Sequence, residues 1–349
     1  VKALVKVVLV VVVVALVAVV AGGLWLRARV TEPYGAFPEE GVFVEIPQGE
    51  STAGIGRRLV EKGVLRDEWT FRLAWRWYGR GRTLKAGEYH FTESLPPGAV
   101  LDRIARGDVF LVALTFPEGL TVEEMADLFA RSGLGPADAF VDAARDPARI
   151  ADLDPAADTL EGYLFPDTYH LPRSITAAGL VDRMARRFVE VYDEAWGKEA
   201  AARGLSVRQL VTLASLVEKE TARAEERPVV SAVYHNRLRI GMPMQCDPTV
   251  IYALKRAGRW DGNITRADLQ FDSPYNTYRY PGLPPGPIAA PGRAALEAAA
   301  RPADSPALYF VSRNDGSHVF SNTLDEHNRA VREWQIEYFR RQRQQQSQR

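Results

Sequence analysis

Glu218 is the residue of this chain best placed to do chemistry, because it sets a carboxyl group into an apolar helical run. Residues 211 to 221 read Val-Thr-Leu-Ala-Ser-Leu-Val-Glu-Lys-Glu-Thr. Ser206 with Gln209 three residues on has the form of a capping box, and Leu210, Leu213, Ala214 and Val217 recur at helical spacing. At about 100° per residue, Glu218 falls between Val211 and Ala214 on one flank of the apolar stripe, and Lys219 points towards solvent. Partly apolar surroundings disfavour the charged carboxylate, so the pKa rises and the group can hold a proton near neutral pH. A general acid that cleaves a glycosidic bond must do this. The competing reading is a partly exposed Glu on an amphipathic helix, and this segment alone does not choose between them.

Four further segments combine turn-forming with polar and aromatic residues: Glu161 to Tyr169, Gly241 to Thr249, Ser273 to Tyr278 and Tyr280 to Ile288. Pro/Gly loops presenting Tyr, Asn, Gln and Thr suit a sugar groove, with aromatic faces on pyranose rings and amides on sugar hydroxyls. The expected substrate contacts are Tyr163, Gln245, Asp247, Tyr275, Asn276 and Thr277. Glu220 lies about 200° around the helix from Glu218, so the two should not share one scissile bond. Glu220 and Asp247 are candidates for orienting substrate or neighbouring side chains, with a purely structural role for Glu220 as the alternative.

The chain has 349 residues, enough for two or three domains. Acidic and basic residues balance at 44 each, so no overall basic field points to nucleic acid. One cysteine, Cys246, excludes an intramolecular disulfide and reads as a small buried residue. Five histidines show no zinc spacing, and no Gly-x-Ser-x-Gly elbow is present. No metal and no cofactor is expected. Val7 to Leu26 is an unbroken apolar run of 20 residues, long enough to cross a bilayer as a helix and followed by no clear Ala-x-Ala cleavage site. Lys2 and Lys6 precede it and Arg27 and Arg29 follow it, so the flanking charges do not set its orientation. A short N-terminus before a long body favours an exported C-terminal part.

The expected fold class is α+β, with one N-terminal transmembrane helix, small α+β modules and a mixed α+β catalytic domain. The expected segments are an anchor at 1–28, a linker at 29–41, a module at 42–112, a repeat-like segment at 113–157, the catalytic domain at 158–335 and a disordered basic tail at 336–349. The repeat rests on matching positions. Ile46-Pro47-Gln48-Gly49, Ser51, Leu59 and Gly63 align with Phe116-Pro117-Glu118-Gly119, Thr121, Phe129 and Gly133. Each copy reads as strand, Pro-x-Gly turn, hydroxyl N-cap, amphipathic helix and glycine stop. With a helix begun at Asp67 and a strand from Ala86 to Phe91, the order in 42–112 resembles the LysM carbohydrate-binding module.

Several strings together resemble the MltG/YceG-like endolytic murein transglycosylases. They are Val217 to Thr221, Glu161 to Tyr169, Asn236-Arg237-Leu238, Gln245-x-Asp247-Pro248-Thr249, Ser273 to Tyr278, Gly282 to Ile288 and Asp315-Gly316-Ser317-His318-x-Phe320. The resemblance covers roughly residues 42 to 335. Cys246 stands where Ser is expected, and Ala290 where a polar residue is common. The resemblance implies an extracytoplasmic, single-pass enzyme of the inner membrane that cuts nascent peptidoglycan strands internally, with Glu218 as acid and base and peptidoglycan synthases as possible partners. Glu218 would protonate the oxygen between N-acetylmuramic acid and N-acetylglucosamine, then accept the proton of the muramyl C6 hydroxyl as a 1,6-anhydro end forms. The alternatives are a water-using muramidase and a cell-wall-binding protein without catalysis.

Overall fold

The computed structural model describes residues 2–347 of the chain, which divides into two compact units. The first runs to Val112 and takes back His170–Arg173; the second holds Ala113–Tyr169 and the chain from Ser174 onward. Each unit has its own hydrophobic core.

In the first unit, α1 (Lys2–Thr31) carries the apolar run, and its Val and Leu side chains from Leu4 to Leu24 are exposed. Its length and composition are those of a bilayer-crossing helix. The last turns differ. Val30 is 1% exposed and belongs to the core of the unit. The Trp25 ring lies 6.1 Å from that of Trp69, and Arg29 pairs with Asp67 at 3.6 Å. Tyr34 then donates its N–H to the Leu95 carbonyl at 3.3 Å, and Phe37 packs against the core. Much of the expected 29–41 linker is thus held on the unit, because Val30 and Phe37 find apolar partners there.

The rest of the unit is β1 (Val42–Ile46), α2 (Thr52–Glu61), α3 (Glu68–Tyr78), β2 (Gly87–Phe91) and α4 (Pro97–Arg106). β1 and β2 pair antiparallel from Val42↔Phe91 to Ile46↔Gly87. Alternation in β1 sends Val44 and Ile46 inward, onto Ile55 and Leu59 of α2, Phe71 of α3 and Ile104 of α4. The helices start where their hydrogen-bonding caps stand: Ser51 accepts from Gly54 N–H, and Asp67 accepts from Thr70 N–H.

The second unit begins with the second copy of the repeat: β3 (Val112–Thr115), α5 (Val122–Arg131) and α6 (Ala137–Ala144). Gly49 and Gly119 both take φ 79°, and Gly63 and Gly133 take φ 73° and 74°. These left-handed positions recur because the same turn and helix stop are built twice, and only glycine enters that region without steric cost. Thr121 and Glu124 cap α5 reciprocally. The 113–157 segment packs within the second unit and is not a separate module.

β4 (Thr168–Leu171) follows, and Thr168 meets Thr115 hydroxyl to hydroxyl at 2.8 Å. Then come α7 (Ala177–Val191), α8 (Glu194–Ala202), α9 (Val207–Glu220), α10 (Arg227–Arg239), α11 (Asp247–Arg256) and α12 (Arg293–Ala300). α9 is central, with α8, α10, α11 and α12 packed against it. Every residue from Leu210 to Val217 is buried, a wider apolar surface than a single stripe. β5 (Tyr309–Ser312) and β6 (His318–Ser321) form a hairpin around Asn314-Asp315-Gly316, with Asn314 and Gly316 at φ 66° and 84°.

α13 (Leu324–Val331) continues through a π-helical stretch, Arg332–Glu337, into α14 (Tyr338–Ser347). The tail expected at 336–349 to be disordered is therefore helical through Ser347. Gln and Arg are good helix formers, and no Gly or Pro interrupts them. Residues 348 and 349 of that tail lie outside the described residues.

Phe71 is fully enclosed, and a Cβ on Gly56 would stand 3.2 Å from its ring. Phe71→Ala should cost the first unit about 3–5 kcal/mol, because the packed helices around it cannot close the space. Hydrogen exchange should register this as lost protection in α2, α3 and β2, with α9 amides unchanged; equal loss in both units would contradict separate cores.

Candidate active site

α9 places Glu218 in its final turn. Ser206 Oγ accepts the Gln209 N–H at 3.2 Å and Gln209 Oε1 accepts the Ser206 N–H at 2.9 Å, so the helix begins where the capping pattern puts it. It ends at Glu220, where the extended backbone of Thr221 stops it. The Glu218 side chain is 6% exposed. Arg227, at the first position of α10, donates from Nη2 to Glu218 Oε1 at 3.0 Å, and Gly292 donates its N–H to Oε2 at 3.0 Å.

These surroundings act on the carboxyl in opposite directions. Burial pushes its pKa up and is the largest influence, and the negative charge of Glu118 adds to it. The Gly292 N–H and the Arg227 guanidinium pull the other way, and the net shift is upward. The final turn of a helix, where free carbonyls carry partial negative charge, also disfavours a second negative charge. Glu218 therefore keeps a proton more readily than a solvated Glu, yet two donors stand ready when it loses it.

Glu118 is a site residue that sequence reasoning did not single out. Its carboxylate, 46% exposed, accepts from the same Arg227 Nη2 at 3.4 Å. It is the central residue of the second Pro-x-Gly turn, where the first copy has the uncharged Gln48. That one difference between two otherwise matching turns was the available signal. Arg227 and Gly292 carried none, because nothing local marks them.

Two segments close over this end of α9. Gly119 donates its N–H to the Ala290 carbonyl, and Ala290 donates its N–H to the Leu120 carbonyl, both at 2.8 Å. Lys219 is exposed, as expected, and its amine reaches the Gly119 carbonyl at 2.9 Å. A Cβ on Gly292 would displace the Glu118 carboxylate from its present place, so the glycine leaves room for that side chain beside Glu218. Ala290 is buried and contributes its backbone, which is compatible with a small residue there.

The remaining expected site residues separate by burial. Glu220 is half-buried on the far flank of α9, where Tyr234 donates its hydroxyl to Oε1 at 2.7 Å; burial raises its pKa, and the enclosed Cys246 thiol is its neighbour. Tyr163 is 1% exposed and donates its hydroxyl to Asp154 at 2.6 Å. Asn276 and Thr277 are buried as well. Asn276 Nδ2 donates to the Leu269 and Phe271 carbonyls, while Thr277 Oγ1 accepts the Cys246 N–H and meets Thr249 Oγ1 at 2.9 Å. The polar groups of Glu220, Tyr163, Asn276 and Thr277 thus hydrogen-bond inside the protein. Tyr275 is half-buried.

Gln245 and Asp247 are exposed. Gln245 has φ 49°, an unfavourable region for a residue with a side chain, and its N–H is tied to the Thr277 carbonyl at 3.3 Å. Tyr278 donates its hydroxyl to Asp247 at 2.5 Å. The expected motif Asn236-Arg237 holds the chain on two sides, with Arg237 donating to the Met244 carbonyl just before Gln245. Asn236 donates to the Ser305 and Ala307 carbonyls and Arg237 to that of Leu308, which fixes the entry to β5. His318 on β6 donates its backbone N–H to Glu226, beside Arg227, at 2.9 Å.

Comparisons with known proteins agree in one direction. The YceG-like family matches residues 44–333. An endolytic murein transglycosylase of Bacillus subtilis (strain 168) is 32% identical over 327 residues, which cover 89% of this chain and 90% of that protein. An endolytic murein transglycosylase of Streptococcus pneumoniae (serotype 2, strain D39) is 31% identical over 335 residues, 86% of this chain; the match spans 60% of that longer protein. A 2.6 Å crystal structure of a putative YceG-like protein from Listeria monocytogenes is similar with a TM-score of 0.56 and 31% identity, over 84% of this chain and 99% of that one. With the family match running through both units and across Glu218, the chain belongs to the YceG-like family.

Proposed function

We propose that the protein is a membrane-anchored lytic transglycosylase that cleaves peptidoglycan glycan strands internally, with Glu218 as both acid and base. The relatives named endolytic murein transglycosylases support the reaction class. The observation that carries the assignment is the opposed environment of Glu218: burial holds the proton, while Arg227 and the Gly292 N–H stabilise the anion left when it departs.

In the proposed reaction, Glu218 donates its proton to the bridging oxygen between N-acetylmuramic acid and N-acetylglucosamine, and the bond from that oxygen to the muramyl C1 breaks. The muramyl C6 oxygen closes on C1 as its proton passes to the Glu218 carboxylate. Glu218 ends protonated again, a 1,6-anhydro end is formed and no water is consumed. The exposed Gln245 and Asp247, with the half-buried Tyr275, are the proposed substrate contacts. The strand–helix–helix–strand part of the first unit is proposed to hold the glycan without cutting it, as a LysM-like module would.

α1 is proposed as a single-pass anchor in the inner membrane, with both units on the extracytoplasmic side, where a peptidoglycan synthase can act as partner. Its exposed apolar surface supports the anchoring. Removing residues 2–24, which leaves the buried Val30 in place, should move the protein from the membrane to the soluble fraction; continued sedimentation with bilayers would point to a second membrane contact.

A second reading has one observation in its favour. Glycosidases that use water need two carboxylates, and Glu118 shares Arg227 with Glu218. Mass analysis of the released sugar ends separates the two, because the anhydro product is lighter by one water. On the reading proposed, Glu218→Gln should fold normally and lose activity by about 10⁴-fold, the upper range of general acid–base catalysis. Glu220→Gln should lose less.

The pH profile carries a further sign. Glu218 must be protonated to act, so activity falls as pH rises through its pKa. Glu118→Gln removes a negative charge that opposes ionisation of Glu218, so the alkaline limb should move to lower pH. An unmoved limb would show that the limb reports another group.

A further inference from the structure

The second unit contains a cavity of about 310 Å³ in which Glu218 has no part. Its walls include Glu161, Arg208, Tyr252, Arg256 and Tyr275, and Pro285–Pro287 form one side. The volume is at the small end of the range for ligand pockets, about 300–1,000 Å³.

Two segments join this cavity to the candidate acid. The first starts at Glu118, which shares Arg227 with Glu218, and reaches the cavity wall at Val122 and Glu123. The second starts at the wall with Pro285–Pro287, donates the Ile288 N–H to Ser215 of α9 at 3.1 Å, and ends with the Gly292 N–H on Glu218. A Cβ on Gly162, beside Glu161, would stand 3.3 Å from Val211, so the cavity lies level with the first half of α9. Val211 and Glu218 are seven residues apart on nearly the same helix face, about 10 Å along the axis. That separation is close to the length of one disaccharide of a glycan strand.

The cavity wall carries the carboxylates of Glu123, Asp158 and Glu161 and the guanidinium groups of Arg145, Arg208 and Arg256; Arg145 is paired with Asp142, so an anion would find its contact at Arg256. Arg256 lies over the rings of Tyr252 and Tyr275, 5.8 and 5.3 Å from their centroids. Among the described residues no carboxylate is within ion-pair distance of it, whereas Arg208 is already shared between Asp154 and Asp158. The guanidinium also occupies the tyrosine faces on which a sugar ring would stack, so a pyranose is the poorer fit. Deeper in, Glu161 accepts the Val122 N–H and the Tyr252 hydroxyl. Burial, reinforced by Glu123, pushes its pKa up to about 8, so at neutral pH it adds little negative charge and offers a proton as donor.

We propose that this cavity is a second substrate subsite, which takes the carboxylate end of a short peptide arm carried by the glycan strand, with Arg256 as its anion contact. The inference rests on the reading of the protein as a glycan-strand transglycosylase and adds to it a preference for strands that bear peptides. An arm rooted one disaccharide from the scissile bond would reach the cavity while the strand lies at Glu218, and its carboxylate would take the unpaired guanidinium.

The test uses the full-length protein in detergent and two substrates: purified glycan strands with their peptides, and the same strands after amidase removal of the peptides. The wild-type protein should cut the peptide-bearing strands with the higher kcat/KM. Arg256→Met should reduce that preference by roughly tenfold, what a charge-assisted hydrogen bond supplies, with the change in KM and not in kcat. Arg256→Lys, which keeps the charge, should recover part of it. Arg256 is exposed at the end of α11, so these variants should fold, and far-UV circular dichroism checks that. Cleavage of both strands with no preference, or an equal fall on both in Arg256→Met, would overturn the subsite alone. No cleavage of either strand by the wild-type protein would overturn the reaction and the subsite together.

Discussion

The second unit depends on how it keeps one ionisable group at the end of a helix whose middle is wholly buried. α9 is enclosed from Leu210 to Val217, so the chain must either withdraw Glu218 from the interior or supply it with partners. It supplies partners from outside the helix, Arg227 nine residues on and Gly292 74 residues on, and adds a second carboxylate, Glu118, that competes for the same guanidinium. Neither protonation state is then prohibitively costly. A fully desolvated, unpartnered Glu would never ionise, and one fully ion-paired in the open would never hold a proton. The geometry lies between these limits, which suits the two proton transfers proposed for Glu218.

That balance requires the covering segments to be held accurately. The reciprocal Gly119–Ala290 and Ala290–Leu120 backbone bonds act like a two-rung ladder across the end of α9, and Gly292 is free of a side chain where the Glu118 carboxylate passes. The polar loop residues serve the same end. Asn276 and Thr277 spend their hydrogen bonds on backbone groups of neighbouring loops, and this internal bonding holds Gln245 outward in a conformation it would not choose alone. Loops rich in Tyr, Asn and Thr look like sugar contacts in a sequence; in the fold, half of those side chains are the frame on which the exposed ones are mounted.

The first unit applies a different constraint. α1 leaves its exposed apolar stretch and enters the core of the unit at Val30 without a break in the helix, with Trp25, Arg29 and Tyr34 adding contacts on the way. A helix continuous with its unit cannot turn freely, so rotation of α1 is coupled to the placement of β1, α2 and α3. The repeated strand–turn–helix pattern is put to two uses. In the first unit its turn carries Gln48 and packs a small sheet; in the second it carries Glu118 to the side of Glu218.

The sequence alone determined what depends on neighbours along the chain. The caps at Ser51, Asp67, Thr121 and Ser206, the paired glycines of the repeat, the Asn314–Gly316 hairpin, the apolar helix and the flank position of Glu218 all follow from residue types a few positions apart, whose spacing sets the backbone hydrogen bonds directly. The composition of the tail suggests a solvated coil, while the chain is helical through Ser347, since Gln and Arg lose little by entering a helix. Only the tertiary structure decided that Arg227, Gly292 and Glu118 meet at Glu218, that Glu220 is spent on Tyr234, and that Tyr163, Asn276 and Thr277 face inward. Those contacts join residues nine to more than a hundred positions apart. Burial and charge environment are properties of the packed core, and no local spacing encodes which distant donor will reach a given carboxylate.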